Sequence, residues 1–344
     1  MSDRGPHKII RVLVVEDSQT VAEWLTHALT LDGGISVVGV ARDGEEALEA
    51  AYRLRPDVIT MDILMPKLDG IEATRRIMAQ APCAILVVTS SVGANAWRVY
   101  EAMGAGALDA VDTPTLADNR LAGASQPLLA KIDQIGRLLE KPVAPPTPRP
   151  AAAVSRGAAP LIAIGASAGG PGALAAVLGK LPADFGGSIV IVQHVDKAFA
   201  EGMAQWLDSQ TELTVRVAES GDRPRPGEVL LAATNDHLHI ARTGSLDYTS
   251  EPAATPYRPS VDVFFHSVVE HWYGNAVGVL LSGMGRDGAI GLKAMRAKGY
   301  LTIAQDEATS AVYGMPKAAA ALDAARRILP LDSIAGELMA SVKR

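Results

Sequence analysis

The chain has 344 residues, more than one hydrophobic core ordinarily serves, and its 48% hydrophobic content is enough to fill two. A formal net charge of -6 gives no electrostatic footprint for nucleic acid or an anionic membrane surface, both of which reward clustered Lys and Arg. A single cysteine, Cys83, excludes an internal disulfide framework; between Pro82 and the apolar run from Ala84 to Val88 it reads as a small buried thiol.

Met1 to Lys8 is polar, and no apolar stretch approaches the roughly 20 residues needed to span a bilayer, so a cytoplasmic protein without direct membrane insertion is expected. From Val12 short β-branched runs alternate with helical segments. Strands are expected at 12–15, 36–41, 58–61, 84–89 and 108–111, with helices at 20–31, 44–54, 70–79 and 95–103. That βαβα rhythm predicts a parallel sheet covered on both faces. A helix over 126–139 follows, then KPVAPPTPRPAAAVSRGAAP from Lys141 to Pro160, where the prolines forbid helix interior and sheet pairing and leave an exposed, semi-rigid linker. Beyond it the rhythm resumes: strand 161–165, helix 170–179, strand 188–193, helix 199–209, a β-rich middle from Leu213 to Tyr248, helix 261–271, strand 276–281, helix 287–298, strand 301–305 and a final helical region. The expected class is α/β, with two doubly wound parallel-sheet domains: 1–125, then helix and linker over 126–159, then 160–344.

In the first module, Glu16 and Asp17 follow the first strand, Asp62 follows the third and Thr89 ends the fourth. An open parallel sheet places its ligand site beyond the carboxyl ends of its strands. Carboxylates gathered there repel one another and invite a divalent cation, and hard oxygen donors suit Mg2+. Taken alone, acidic residues at strand ends are solvated loop residues. The segment from Asp62 to Gly70, DILMPKLDG, resembles the D-x-x-M-P-x-x-D-G signature of response-regulator receiver domains, a flavodoxin-like fold. The resemblance implies that Asp62 is the phosphoacceptor, that Glu16, Asp17, Asp62 and the Leu64 carbonyl hold Mg2+, and that Thr89 is the switch hydroxyl. Receivers usually carry a Lys before the Pro that follows the fifth strand; here Thr113 precedes Pro114. Weaker coupling between phosphorylation and switch, or a substitute cation from another loop, is expected.

In the second module, LIAIGASAGGPG from Leu161 to Gly172 runs an apolar strand through a Gly-rich turn into a helix, which would expose Ser167 at a helix N-terminus. The pattern Gly165-x-Ser167-x-Gly169 fits a nucleophile elbow, but such a turn also suits a phosphate or dinucleotide. His194 directly follows the strand 188–193, and Asp287 lies in SGMGRDG after the strand 276–281. A serine hydroxyl needs an imidazole to take its proton, and the imidazole needs a carboxylate to fix its tautomer. Other histidines, His237, His239, His266 and His271, show that His is not rare in this module.

The segments GASAGG, QHV, RPSVDVFF, SGMGRDG and AVYGMP stand in the order and spacing of the chemotaxis protein-glutamate methylesterase family (CheB-like), which the chain resembles over essentially its whole length. The resemblance implies a Rossmann-like catalytic domain in which Ser167 is the nucleophile, His194 the general base, Asp287 its orienting carboxylate and the Met284 backbone N–H part of the oxyanion hole. It implies no cofactor for ester hydrolysis, methyl-accepting chemotaxis-type receptors as substrate, a CheA-like histidine kinase as phosphodonor, and inhibition by the receiver until it is phosphorylated. Ala168 stands where the family often has Thr. The stretch EAMGAGALDAVDTPTL is similar to the WspF-type subgroup, which serves surface-sensing receptors. Arg258, Pro259 and Ser260 precede a helix, where Ser260 would either cap it or line a receptor groove.

Overall fold

The computed structural model describes residues 9–89, 96–114, 125–140 and 159–342. The chain divides into two compact units, Met1–Lys141 and Pro142–Arg344. The expected Pro-rich linker from 141 to 158 lies outside the described residues.

The first unit runs β1 (Ile10–Val15), α1 (Gln19–Thr30), β2 (Ile35–Ala41), α2 (Gly44–Leu54), β3 (Val58–Met61), α3 (Gly70–Gln80), β4 (Ala84–Thr89), α4 (Ala96–Gly104), β5 (Asp109–Asp112) and α5 (Gln126–Glu140). Its sheet is parallel in the order β2-β1-β3-β4-β5. Strands β3 and β4 are buried along their whole length, which is why they read as unbroken apolar runs rather than alternating ones. Helix starts are set by local chemistry: Asp43 accepts the N–H groups of Glu45 and Glu46 ahead of α2, and Asp69 accepts that of Glu72 ahead of α3. Helix α5 packs within this unit. Leu128, Ile132 and Ile135 are buried, Lys131 pairs with Asp109 of β5, and Gly136 lies so close to Ile10 that a Cβ there would overlap it. Cys83 is half-buried rather than fully enclosed, and burial, helped by Asp57, pushes its thiol up to about 12, leaving it inert as a nucleophile near neutrality.

The second unit runs β6 (Leu161–Ala166), α6 (Gly170–Leu178), β7 (Ser188–Gln193), α7 (Lys197–Asp208), β8 (Thr214–Val217), β9 (Glu228–Leu231), β10 (His237–Ile240), β11 (Leu246–Thr249), α8 (Val261–His271), β12 (Ala276–Leu280), α9 (Ala289–Ala297), β13 (Leu301–Gln305), α10 (Met315–Ala321), β14 (Arg327–Leu329) and α11 (Leu331–Val342). The seven-stranded sheet has the order β14-β13-β12-β6-β7-β9-β8, parallel throughout. This is a Rossmann-like winding with β9 inserted between β7 and β8. Successive strands step outward on one side from β6 and on the other from β12, so the order reverses between β6 and β12. A crevice opens at such a switch point, beyond the strand ends.

The hairpin of β10 and β11 is separate from the sheet and lies over α8. Leu238, Ile240 and Leu246 join Val261, Phe264, Phe265 and Val268 in one core cluster, and Ser267 Oγ accepts the Ile240 N–H at 2.8 Å. Full burial of each Phe contributes about 2 kcal/mol, so the hairpin and the start of α8 are held as one body. Helix α9 begins at Ala289, two residues later than the apolar pattern suggests: Asp287 turns its carboxylate toward α8, and Gly288 takes the left-handed conformation at φ 83° as the cap.

Among the described residues no helix is long and apolar enough to cross a membrane.

Candidate active site and acidic pocket

Ala166 and Gln193 are register partners on adjacent parallel strands, so Ser167 and His194, the next residues, leave the sheet side by side. The His194 N–H donates to the Ala166 carbonyl at 3.0 Å. Gln193 is fully buried and its amide donates to the carbonyls of Ser167 at 2.9 Å and His194 at 3.1 Å, tying the two strand ends together. Ser167 is itself fully buried, its N–H donating to the Ser282 carbonyl beyond β12. The switch point therefore gathers Ser167, His194 and the loop carrying Asp287.

His194 Nε2 lies 2.8 Å from Asp287 Oδ2. Asp287 is 3% exposed and also accepts from Ser260 Oγ at 2.9 Å and from the N–H groups of Val261 at 2.6 Å and Asp262 at 3.1 Å. Burial alone would raise its carboxyl, but the His194 bond and the two backbone donors at the N-terminus of α8 hold it below the usual carboxylate range. An ionised Asp287 can only accept, so His194 carries its proton on Nε2 and leaves Nδ1 as a lone pair. Both His194 Nδ1 and Ser167 Oγ are buried without a hydrogen-bond partner. A basic nitrogen and an uncommitted hydroxyl on adjacent strand ends are the components of nucleophilic acyl transfer. Bonds of this kind commonly close only with substrate in place.

Met284 is half-buried in the loop after β12, and its backbone N–H is not used in any hydrogen bond among the described residues. Its neighbour Gly283 donates to the Val312 carbonyl and accepts from Gly314 and Met315, which fixes the loop. A Cβ on Gly283 would stand 2.8 Å from Ser167 Cβ and overlap Met315 Sδ, so the loop reaches the serine only because residue 283 has no side chain. Ala168 is buried and its carbonyl accepts from Ser282 Oγ at 2.8 Å, a backbone contact that needs no hydroxyl at position 168.

Three neighbours of the pair were not among the sequence candidates. Tyr257 stacks on His194 with ring centroids 4.5 Å apart and planes 18° apart. Asp262 sits one residue into α8 with its carboxyl pushed up to about 8 by burial and by the Asp287 charge, while the Gly291 N–H donates to it at 2.6 Å. His237, fully buried, accepts the Ser260 N–H. Ser260 does cap α8, accepting from the Val263 N–H at 3.4 Å, and its hydroxyl proton goes to Asp287.

In the first unit, carboxylate oxygens of Glu16, Asp17 and Asp62 lie within 4.8 Å of one another. Glu16 is buried and is pushed up to about 7 by desolvation first, then by the charges of Asp62 and Asp17. Asp62 is raised by burial, against the N–H groups of Leu64 and Ile63 that favour its charged form. Crowded carboxylates that resist ionising together, all oxygen donors, fit Mg2+. Leu64 is exposed beside them, and Thr89 is buried at the end of β4. Thr113 is half-buried, with its N–H donating to the Thr89 carbonyl at 2.8 Å. The nearest Lys in sequence to Asp62, Lys67, is paired with Asp43 at 2.5 Å.

Two family models match, response regulator receiver domain over residues 12–123 and CheB methylesterase over residues 162–338. A protein-glutamate methylesterase/protein-glutamine glutaminase of Burkholderia orbicola is 67% identical over 329 residues, covering 95% of this chain and 98% of the relative. One of Burkholderia thailandensis is 62% identical, covering 96% and 97%. The CheB methylesterase catalytic domain of Thermotoga maritima superposes with a TM-score of 0.51 at 33% identity, covering 54% of this chain and 99% of that one. The chain belongs to the CheB-type protein-glutamate methylesterase family, with a receiver domain ahead of the catalytic domain.

Proposed function

We propose that the chain is a phosphorylation-regulated protein-glutamate methylesterase and protein-glutamine deamidase that acts on methyl-accepting chemotaxis-type receptors in the cytoplasm. The observation that carries this reading is the His194–Asp287 pair at the switch point, with its Nδ1 unpartnered and the uncommitted Ser167 hydroxyl on the adjacent strand end. Ser167 Oγ attacks the ester carbonyl of a receptor glutamate as His194 Nδ1 takes its proton. The Met284 N–H meets the developing oxyanion. His194 returns the proton to departing methanol, and the same imidazole then draws a proton from water to release free glutamate and Ser167. With a glutamine, ammonia leaves in place of methanol.

Asp62 is the phosphoacceptor in this reading, supplied by a CheA-like histidine kinase. Glu16, Asp17, Asp62 and the Leu64 carbonyl would hold Mg2+, which offsets the charge of the incoming phosphoryl group; Thr89 reads the phosphorylated state. The similarity of the sequence around Thr113 to the WspF-type subgroup supports a receptor of a surface-sensing pathway as the substrate.

The deciding experiment is methanol release from a panel of methylated receptor fragments by the full chain, with and without acetyl phosphate. Release that depends on Ser167 and rises with the phosphodonor only when Asp62 is present is expected. Turnover that survives Ser167→Ala sinks the esterase assignment, and a phosphodonor response that survives Asp62→Asn sinks the regulatory one.

A further inference from the structure

His237 is the first residue of β10, fully buried, and has no place in the chemistry above. Its Nδ1 accepts the backbone N–H of Ser260 at 3.1 Å, and its Nε2 lies 3.4 Å from the Pro252 carbonyl. One imidazole thus touches both ends of the segment from Pro252 to Ser260. That segment supplies two groups to the site: Tyr257, stacked on His194, and Ser260, which donates its hydroxyl proton to Asp287. The clasp sits on a firm base, because β10 pairs with β11 in register from His237↔Thr249 to Ile240↔Leu246 and is bonded to α8 through Ser267.

We infer that His237 is a positioning residue: as a neutral imidazole it closes the segment 252–260 and thereby holds Tyr257 against His194 and Ser260 against Asp287. The inference rests on the serine-hydrolase reading of the site. Only one protonation state serves. Nδ1 must present a lone pair to the Ser260 N–H, which leaves the proton on Nε2, pointing at the Pro252 carbonyl. A second proton would set one N–H against another and open the clasp. The ionisable groups that face His237 are Arg258 and Asp236, themselves 3.7 Å apart, and Asp287 beyond Ser260; β11 opposes it with Thr249. Burial is the largest influence and lowers the His237 pKa, Arg258 acts in the same direction, and the Pro252 carbonyl, Asp287 and Asp236 act against them. The neutral form is therefore the resting one near neutral pH.

The test is the rate at which a fluorophosphonate labels Ser167 in the full chain, followed against pH for the wild type, His237→Asn and His237→Phe. Asn places an acceptor oxygen where Nδ1 stands and does not titrate, whereas Phe fills the space and accepts nothing. His237→Phe should lose about tenfold or more of the labelling rate, the scale expected when a catalytic group is slightly misplaced. His237→Asn should recover most of it. On the acid side the fall of the wild-type rate should include a proton step on His237, and His237→Asn should lack that step. Labelling of His237→Phe at the wild-type rate, or an acid limb that His237→Asn leaves unchanged, overturns the inference. If His237→Phe does not fold, the acid limb of His237→Asn decides alone. Absence of Ser167 labelling in the wild type would instead sink the hydrolase reading on which the clasp depends.

Discussion

His194 gives its Nε2–H to Asp287 through the same carboxylate oxygen that takes the Val261 N–H, 2.8 Å and 2.6 Å away respectively. The carboxylate is thus both the tautomer lock of the imidazole and the N-terminal counter-charge of α8. In Asp287→Asn an NH2 group at the Oδ2 position meets the imidazole and demands a lone pair at Nε2; it also opposes the Val261 N–H and leaves the amide oxygen with the Ser260 hydroxyl and the Asp262 N–H. The His194 proton moves to Nδ1 and the base is lost. A fall in kcat of about 10³–10⁴-fold is expected, with little change in the far-ultraviolet circular dichroism of the full chain. A loss below tenfold would remove Asp287 from the catalytic role.

Ser167 was legible as the first polar residue after an unbroken apolar strand and His194 as the residue that directly follows the strand ending on Gln193, and the end of a buried parallel strand is a place that local pattern can locate. Asp287 was legible by motif, yet the helix expected to begin on it starts at Ala289, since the carboxylate is drawn away to cap α8. Tyr257 and His237 were not legible. Both act through a loop whose path is fixed by irregular contacts, Arg258 to the carbonyls of Ser250 and Ala253 within the loop and His237 from β10 to Pro252 and Ser260, and no periodicity records such contacts. The insertion of β9 between β7 and β8 was hidden for the same reason: strand order is a tertiary property. In the first unit the clustering of Glu16, Asp17 and Asp62 was legible, and the commitment of Lys67 to Asp43 was not.

Tyr257 is 9% exposed and offers His194 a flat apolar face, so its contribution can be separated from its hydroxyl. A stacked aromatic pair contributes about 0.5–1.5 kcal/mol beyond area burial. Tyr257→Phe should therefore label Ser167 at close to the wild-type rate. Tyr257→Leu should be slower by about tenfold if most of that energy orients the imidazole. Equal rates for all three would show that the ring only fills space.

Glu16 sets a pH dependence in the metal-free receiver. Its folded-state pKa is raised from 4.5 to about 7, so the stability linked to its protonated form is fully present below pH 4.5 and is lost as pH rises through about 7. The shift corresponds to about 3 kcal/mol, an order of magnitude for a buried group. A bound Mg2+ reverses the sign by favouring the ionised form. Thermal unfolding of the full chain in chelator and in Mg2+ should show a larger metal-induced stabilisation of the receiver transition at about pH 8 than at about pH 5.5, and Glu16→Gln should flatten the difference. A metal effect that is equal or greater at the lower pH would contradict this assignment.

Thr113 leaves the acidic cluster without the ammonium group that receivers usually place there, and Lys67 is held by Asp43. In the proposed reading a divalent metal then supplies counter-charge to Glu16, Asp17 and Asp62. Thr113→Lys should bring a competing cation to the edge of the pocket and weaken Mg2+ binding by about tenfold, read by titration calorimetry on the full chain. The same substitution should enlarge the response of the esterase to acetyl phosphate, because a Lys can follow the phosphoryl group. An unaltered Mg2+ affinity would mean that the side chain at 113 does not reach the cluster.

Two glycine-to-alanine substitutions in the second unit should act in opposite directions. At Gly283 the added methyl would stand 2.8 Å from Ser167 Cβ and overlap Met315 Sδ, and the loop is fixed by bonds to Val312, Gly314 and Met315, so neither side yields cheaply. Gly283→Ala should therefore displace Ser167 or the Met284 N–H and abolish fluorophosphonate labelling, while phosphorylation of the receiver by acetyl phosphate stays at the wild-type level. At Gly336, inside α11, nothing lies within 4 Å of the added methyl. There Ala gains about 0.5–1 kcal/mol from helix propensity, and the unfolding midpoint of the second unit should rise with labelling unchanged. Labelling that survives in Gly283→Ala would mean that the loop after β12 can retreat from the serine, and the oxyanion role of Met284 would fall with it.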